Sequence, residues 1–279
     1  MKKILILFSA IMVFASCEEV PVVIPMGGGG PVDTMDNVVK KVLLEELTGV
    51  SCPNCPAGTA ALEGILSVLG DRVVANAIHG QFLAQPTAQS IYDFRNEDAK
   101  NLELALGPLI AKPAAVIDRV HFEGQDFQSV VTTGIWQALV MERLELPALA
   151  AIELTSEYNE ATRRANITVT VTAVEDIIGN IKLSVVTNES HMIDAQLDQN
   201  VVLDTYEHNH VMRHMLTSIN GDLIATDMAE GESLTFDYTY TVPAESNGEW
   251  VADNMEVIAF VTSSFFDDHV MQVESVHLN

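Results

Sequence analysis

Basic residues are scarce in this chain: 14 Lys and Arg stand against 39 Asp and Glu, a formal net charge of −25 over 279 residues. A surface of that sign repels phosphate backbones, which excludes nucleic acid as a partner. Cysteine is scarcer still. With three in the chain there is no second Cys pair, and a Cys-rich zinc site has too few ligands. Long apolar runs are missing as well. The stretch from Ile4 to Ala15, broken by Ser9, falls short of the roughly 20 residues that a membrane-spanning helix needs. Internal repeats are absent, and low complexity is confined to the run Gly27 to Gly30.

What the amino terminus does contain is MKKILILFSAIMVFASCEEV. Two lysines, a short apolar run and small residues before a cysteine are the layout of a secretory signal, residues 1–16. Phe14-Ala15-Ser16-Cys17 resembles the bacterial lipobox, with phenylalanine where leucine is commoner. The resemblance implies that Cys17 carries lipid and becomes the new amino terminus. The alternative is an ordinary signal peptide followed by an unmodified cysteine. Each buried acyl CH₂ contributes about 0.8 kcal/mol, so two or three chains on one residue give stable anchoring in a membrane. The mature chain then has 12 basic residues against 39 acidic ones. Residues 17–37, with four glycines between prolines, read as a flexible tether with a mean reach of about 25 Å. Glu18-Glu19 directly after the anchor resembles the export signal of surface lipoproteins, and the periplasmic and cell-surface faces both stay open.

From Val38 the element types alternate. Residues 38–47 read as a strand, and Ala57, Ala61, Leu62, Ile65, Leu66 and Leu69 fall on helical spacing up to Gly70. Residues 72–79 read as a second strand, and roughly 89–106 as a polar stretch with a helix. Pro113 then precedes two short strand-like runs, and a helix is expected from about Phe127 to Arg143. After Leu146 the period changes to two: Ile167, Val169, Val171 and Ala173 alternate with threonines, and Leu234, Phe236, Tyr238 and Tyr240 with polar partners. Seven or eight strands without a long helical pattern predict an immunoglobulin-like, all-β sandwich. The expected organisation is an α/β domain over 38–146 and the β-sandwich domain over 147–279.

If lipid occupies Cys17, then Cys52 and Cys55 in TGVSCPNCPAG have only each other. They sit between a strand and the following helix, where unpaired backbone N–H groups and the positive end of the helix dipole favour thiolate over thiol. Cys52 is the expected nucleophile and Cys55 the resolving thiol. Pro56 suits the first helical turn, where its missing N–H leaves no acceptor unpaired.

Strand, CPNC, helix, strand, insertion, proline, hairpin and helix together resemble the thioredoxin fold. The resemblance implies that Pro113 in AKPAA is the cis-proline beside the CxxC, and that Glu46 is the buried carboxylate that relays a proton to the resolving cysteine; Glu45 could equally be the inward one. Ser51 and Lys112 depart from that family's pattern, which has an aromatic before the first cysteine and an apolar or hydroxyl residue before the proline. More narrowly, LLEELTGVSCPNCP (43–56) and YEHNHVMR (206–213) resemble the twenty-eight-kilodalton outer-membrane lipoprotein family of Gram-negative bacteria, which joins a thioredoxin-like to a β-rich domain. That implies an outer-membrane location.

His208, His210 and His214 would share one face of a continuous strand and could ligate a transition metal. The other reading is a polar patch or histidines bonded to loops, with Arg213 on the opposite face paired to a carboxylate. No cofactor is expected. Two functions remain: thiol–disulfide exchange with an extracytoplasmic protein partner, or a non-enzymatic binding lipoprotein in which the 52–55 disulfide is a local staple.

Overall fold

A computed structural model describes residues 38–278; the signal segment 1–16, Cys17 and the tether 17–37 lie outside the described residues. The apolar run VLLEEL forms β1 (Val42–Leu47), and helix α1 (Cys55–Leu69) leads to β2 (Val73–Ile78), which pairs parallel with β1. Both strands are buried along their whole length, so both faces of this part of the sheet are covered. Helix α1 starts with Pro56 in its first turn and stops at Gly70, whose φ of 57° suits glycine. Helix α2 (Glu97–Ala105) is capped by Asn96, whose side chain accepts from the Ala99 N–H at 2.8 Å. A cis peptide links Lys112 to Pro113 ahead of β3 (Ala114–Ile117), which runs antiparallel to β1. Helix α3 (Trp136–Leu144) is the last α-helix among the described residues.

Ten strands follow: β4 (Ala150–Asn159), β5 (Arg164–Ala173), β6 (Ile177–Glu189), β7 (Met192–Asp198), β8 (Val201–His208), β9 (Val211–Met215), β10 (Asp222–Met228), β11 (Ser233–Thr241), β12 (Met255–Ser263) and β13 (His269–His277). The main sheet has the order β13-β12-β6-β9-β2-β1-β3. One flank of the long β6 is shared, since β10 pairs with its first half and β9 with its second. Strands from before and after residue 147 therefore belong to one sheet, joined where the Ala77 N–H donates to the His210 carbonyl at 2.7 Å. The three strands β11-β5-β4 form a second sheet. Its inward residues, Ile167, Val169 and Val171 among them, pack against Leu183, Val185, Val257 and Val261 of the main sheet. The alternating burial of β5 is the period-two pattern of its sequence. The β7–β8 hairpin joins neither sheet.

Two further cores flank the main sheet. Val42 and Leu44 face α1 and α3 with Leu62, Ile65, Trp136 and Val140, whereas Leu43 and Leu47 face α2 with Leu102, Phe260 and Val273. Alternation thus sends the two neighbouring glutamates to opposite sides, Glu45 toward Phe260 and Glu46 toward α1. Arg119 grips Glu45 through two hydrogen bonds of 2.8 and 3.0 Å and stacks over the Phe260 ring. Nearby, the buried Asp118 pairs with Lys40 at 2.8 Å and Arg143 at 3.1 Å and accepts from the Leu43 N–H.

Several boundaries differ from the sequence reading. The first strand starts at Val42 rather than Val38, and α2 begins at Glu97 rather than near Gln89. The helix expected from Phe127 is confined to Trp136–Leu144, because Val130 is drawn into two backbone hydrogen bonds with Ala115 of β3. A second strand after Ile117 does not form, since Asp118 and Arg119 both take positive φ and turn the chain. Among the described residues no helix is long and apolar enough to cross a membrane.

Candidate functional site

Cys52 and Cys55 form a disulfide at the start of α1, with Cα atoms 5.4 Å apart. Neither cysteine reaches the surface, at 0% and 1% exposed. Behind them three residues converge. A Cβ on Gly58 would lie 2.4 Å from Pro113 Cβ and 3.1 Å from Glu46 Oε1, so only glycine lets α1 close onto that proline and that carboxyl. Thr59, one helical turn after Cys55, donates to Glu46 Oε1 at 3.2 Å. Burial drives the Glu46 carboxyl up to about 8, and neighbouring Glu63 pushes the same way; the hydrogen bond from Thr59 and the charge of Lys112 oppose them. Glu46 is therefore protonated at neutral pH.

The residue before the proline has its own task here. Lys112 is buried, with Nζ 2.5 Å from Glu103 Oε2 and donating to the Thr48 carbonyl at 2.7 Å. Burial lowers its pKa, and the Glu103 partner holds it up. Glu103 in turn accepts from the Gln81 and Phe82 N–H groups at 3.0 and 3.2 Å. Ser51, directly before Cys52, donates to the Gln85 carbonyl at 2.6 Å.

The β7–β8 hairpin is bonded along the segment that carries the cysteines. The Gln196 amide donates to the carbonyls of Gly49 at 3.3 Å and Cys52 at 3.1 Å. The Leu197 N–H donates to the Val50 carbonyl at 2.9 Å, and the Gln199 N–H to the Pro53 carbonyl at 2.8 Å. The Gln199 side chain adds Asn54 Oδ1 at 3.1 Å. Tyr206 of β8 reaches Thr59, linking the hairpin to the hydroxyl that serves Glu46. Gln196 and Gln199 do not stand out in the sequence: they are ordinary polar side chains some 145 positions from the motif, in no spacing that marks a contact.

The three histidines do not share a face. β8 ends at His208, His210 turns the chain at a φ of 56°, and His214 lies on β9. His208 packs on Phe94 with ring centroids 4.7 Å apart, and burial lowers its pKa to about 4. His214 pairs with Asp98 at 2.6 Å. Among the described residues no three His, Cys, Asp or Glu side chains are grouped to hold a metal ion. Arg213 pairs with Glu189 at 3.2 Å and Glu249 at 2.6 Å and stacks over Trp250. His79, next to this cluster and fully buried, carries no sequence signal beyond being the first histidine after the CxxC; burial holds it neutral.

The family model described as outer membrane protein Omp28 matches residues 109–279, well over half of the chain. The chain belongs to the Omp28 family. Members of this outer-membrane lipoprotein family are assigned to the outer membrane, and so is this protein. The matched span takes in Pro113, the hairpin and all strands from β3 onward; Cys52, Cys55 and Glu46 precede it. No curated protein matches the chain. Among solved structures, HBP35 of Porphyromonas gingivalis superposes with a TM-score of 0.66 at 17% identity over 86% of this chain and 76% of that one. A protein from Agrobacterium tumefaciens gives 0.51 at 13% identity, covering 87% and 96%. These two share the fold of this chain. A domain of the outer membrane lipoprotein Omp28 from Porphyromonas gingivalis is 24% identical, covering 48% of this chain and 93% of that domain, with a TM-score of 0.33.

Proposed function

We propose that this Omp28-family chain carries out thiol–disulfide exchange with an extracytoplasmic protein partner, using a thioredoxin-like domain (38–146) joined to an immunoglobulin-like β-sandwich (147–279) and anchored by lipid at Cys17. The observation that carries the reading is Glu46, a carboxyl sealed between β1 and α1, neutral at physiological pH, bonded to Thr59 and meeting α1 at Gly58, the same glycine against which the cis-proline Pro113 packs. A group with a pKa near 8 gives and takes a proton readily at the pH where thiols exchange. A salt-bridged surface carboxylate would do neither.

In the oxidising direction a partner thiolate attacks Cys52 Sγ, the Cys52–Cys55 bond breaks, and Cys55 leaves as a thiolate that takes the Glu46 proton. A second partner thiol then attacks the mixed disulfide, and Cys52 departs with its electrons. The partner gains a disulfide and loses two electrons, and the CxxC gains them. Reduction runs the same steps backwards. Pro113 would present backbone to the bound partner strand, on the periplasmic or the cell-surface face.

Burial of both cysteines favours a second reading, a binding lipoprotein with a local staple. Closing so small a loop removes little chain entropy, which weakens a purely structural purpose for the bond. The two readings separate in a trap. With Cys55→Ala and glutathione disulfide, exchange predicts one glutathione on Cys52, seen by mass, under conditions where the protein stays folded. A folded variant that remains unmodified contradicts exchange.

A further inference from the structure

We propose that the β7–β8 hairpin is a displaceable cap, latched by Gln196 and Gln199, and that thiols reach the Cys52–Cys55 disulfide only when its tip lifts. The purpose of the cap rests on the exchange reading; its existence does not. Its base is fixed. Asp194 accepts from the Ile91 and Tyr92 N–H groups at 2.8 and 2.9 Å, Met192 is buried with Val50, Tyr92 and Phe94, and His208 packs on Phe94.

The tip is held differently. Its hydrogen bonds to the rest of the chain, from Gln196, Leu197 and Gln199, all fall on one short stretch, Gly49 to Asn54. The hairpin pairs with neither large sheet, so lifting the tip breaks that single patch and no sheet ladder. Its outer strand already faces solvent, with Val201 61% and Leu203 36% exposed, and no core is opened there. Backbone pairing of Leu197 with Val50 and of Gln199 with Pro53 also places an extended segment along the rim of the CxxC, where an extended partner segment would have to lie. The cap and a partner strand therefore compete for the same carbonyls.

The test is the rate at which dithiothreitol reduces the disulfide in the oxidised full-length protein. Each reductant loses two electrons and closes to its cyclic disulfide, and two cysteine thiols appear, counted by alkylation and mass. The cap predicts a rate far below that of an unfolded CPNC disulfide peptide, levelling off at high reductant as opening becomes limiting. Gln196→Ala and Gln199→Ala each raise that plateau, Gln196→Ala by about tenfold, the equivalent of roughly 1.4 kcal/mol. Val169→Ala, which loosens the distant sandwich core, leaves it unchanged. Reduction as fast as in the peptide overturns the cap. So does equal acceleration by Val169→Ala, which would mean reduction through global unfolding, and so do latch variants that fold and reduce at the wild-type rate. Repeating the glutathione trap in the Gln196→Ala background separates the two claims: a freely reducible Cys52 that takes no glutathione removes the exchange reading and leaves the cap standing.

Discussion

Glu46→Gln flattens the loss of stability that the wild-type protein shows between about pH 5 and pH 8. The sign follows from the native carboxyl being harder to ionise than the unfolded one. Above the ordinary value of 4.5 the unfolded chain has released this proton, while the native state keeps it up to about 8. Across that window the native state binds more protons, so stability falls as pH rises. At about 1.4 kcal/mol for each pH unit, the difference between 4.5 and about 8 corresponds to a loss on the order of 5 kcal/mol. Glutamine keeps the shape and the Thr59 hydrogen bond but cannot ionise. Urea unfolding of both oxidised proteins at pH 5 and pH 9 measures the effect: the wild type loses several kcal/mol more than the variant. Equal losses would mean that Glu46 ionises freely, and the proton relay would lose its basis.

Lys112→Met destabilises the fold by about 3 to 5 kcal/mol, the range for removing one partner of a buried ion pair. Methionine fills most of the volume, so the loss is electrostatic. Glu103, itself buried, would lose the ammonium 2.5 Å away and keep only its two backbone N–H donors. The Thr48 carbonyl, directly after β1, would lose its donor too. The same ammonium lowers the pKa of Glu46, so its removal drives that carboxyl higher still. Denaturant unfolding at pH 7 checks the first effect, and the wild-type pH dependence repeated in the variant checks the second. The double variant Lys112→Met with Glu103→Gln recovers part of the stability, because no charge is then left unpaired. A loss below about 1 kcal/mol in the single variant would contradict the buried pair.

The thiol pair between a strand and the helix after it was legible in the sequence because it depends on local order alone, while Pro113 and a carboxyl at Glu45 or Glu46 followed only from the likeness to the thioredoxin fold. The choice between Glu45 and Glu46 was not legible, since a strand buried on both faces has no apolar side to read. Alternation with Val42 and Leu44 settles it once α1 is known to cover their face. The strand-rich character of the second half was legible through its period of two, and Ile167, Val169, Val171 and Ala173 are buried as that period requires. The histidine pattern misled because one turn, with His210 at positive φ, breaks the strand it was read on. The helix before Trp136 was read too long because a pairing between Val130 and Ala115 outweighs helical spacing. Nor could the cap be seen: its bonds from Gln196 and Gln199 run to backbone carbonyls, which carry no residue signature.

The most direct test of exchange is the reduction potential of the Cys52–Cys55 couple in the full-length protein, equilibrated against glutathione buffers with free thiols counted by mass. A cysteine pair at a helix start, backed by a protonated Glu46, predicts a value between about −120 and −270 mV, the span of exchange proteins from strong oxidant to reductant. A value below about −300 mV would place the bond among inert structural disulfides and contradict the account.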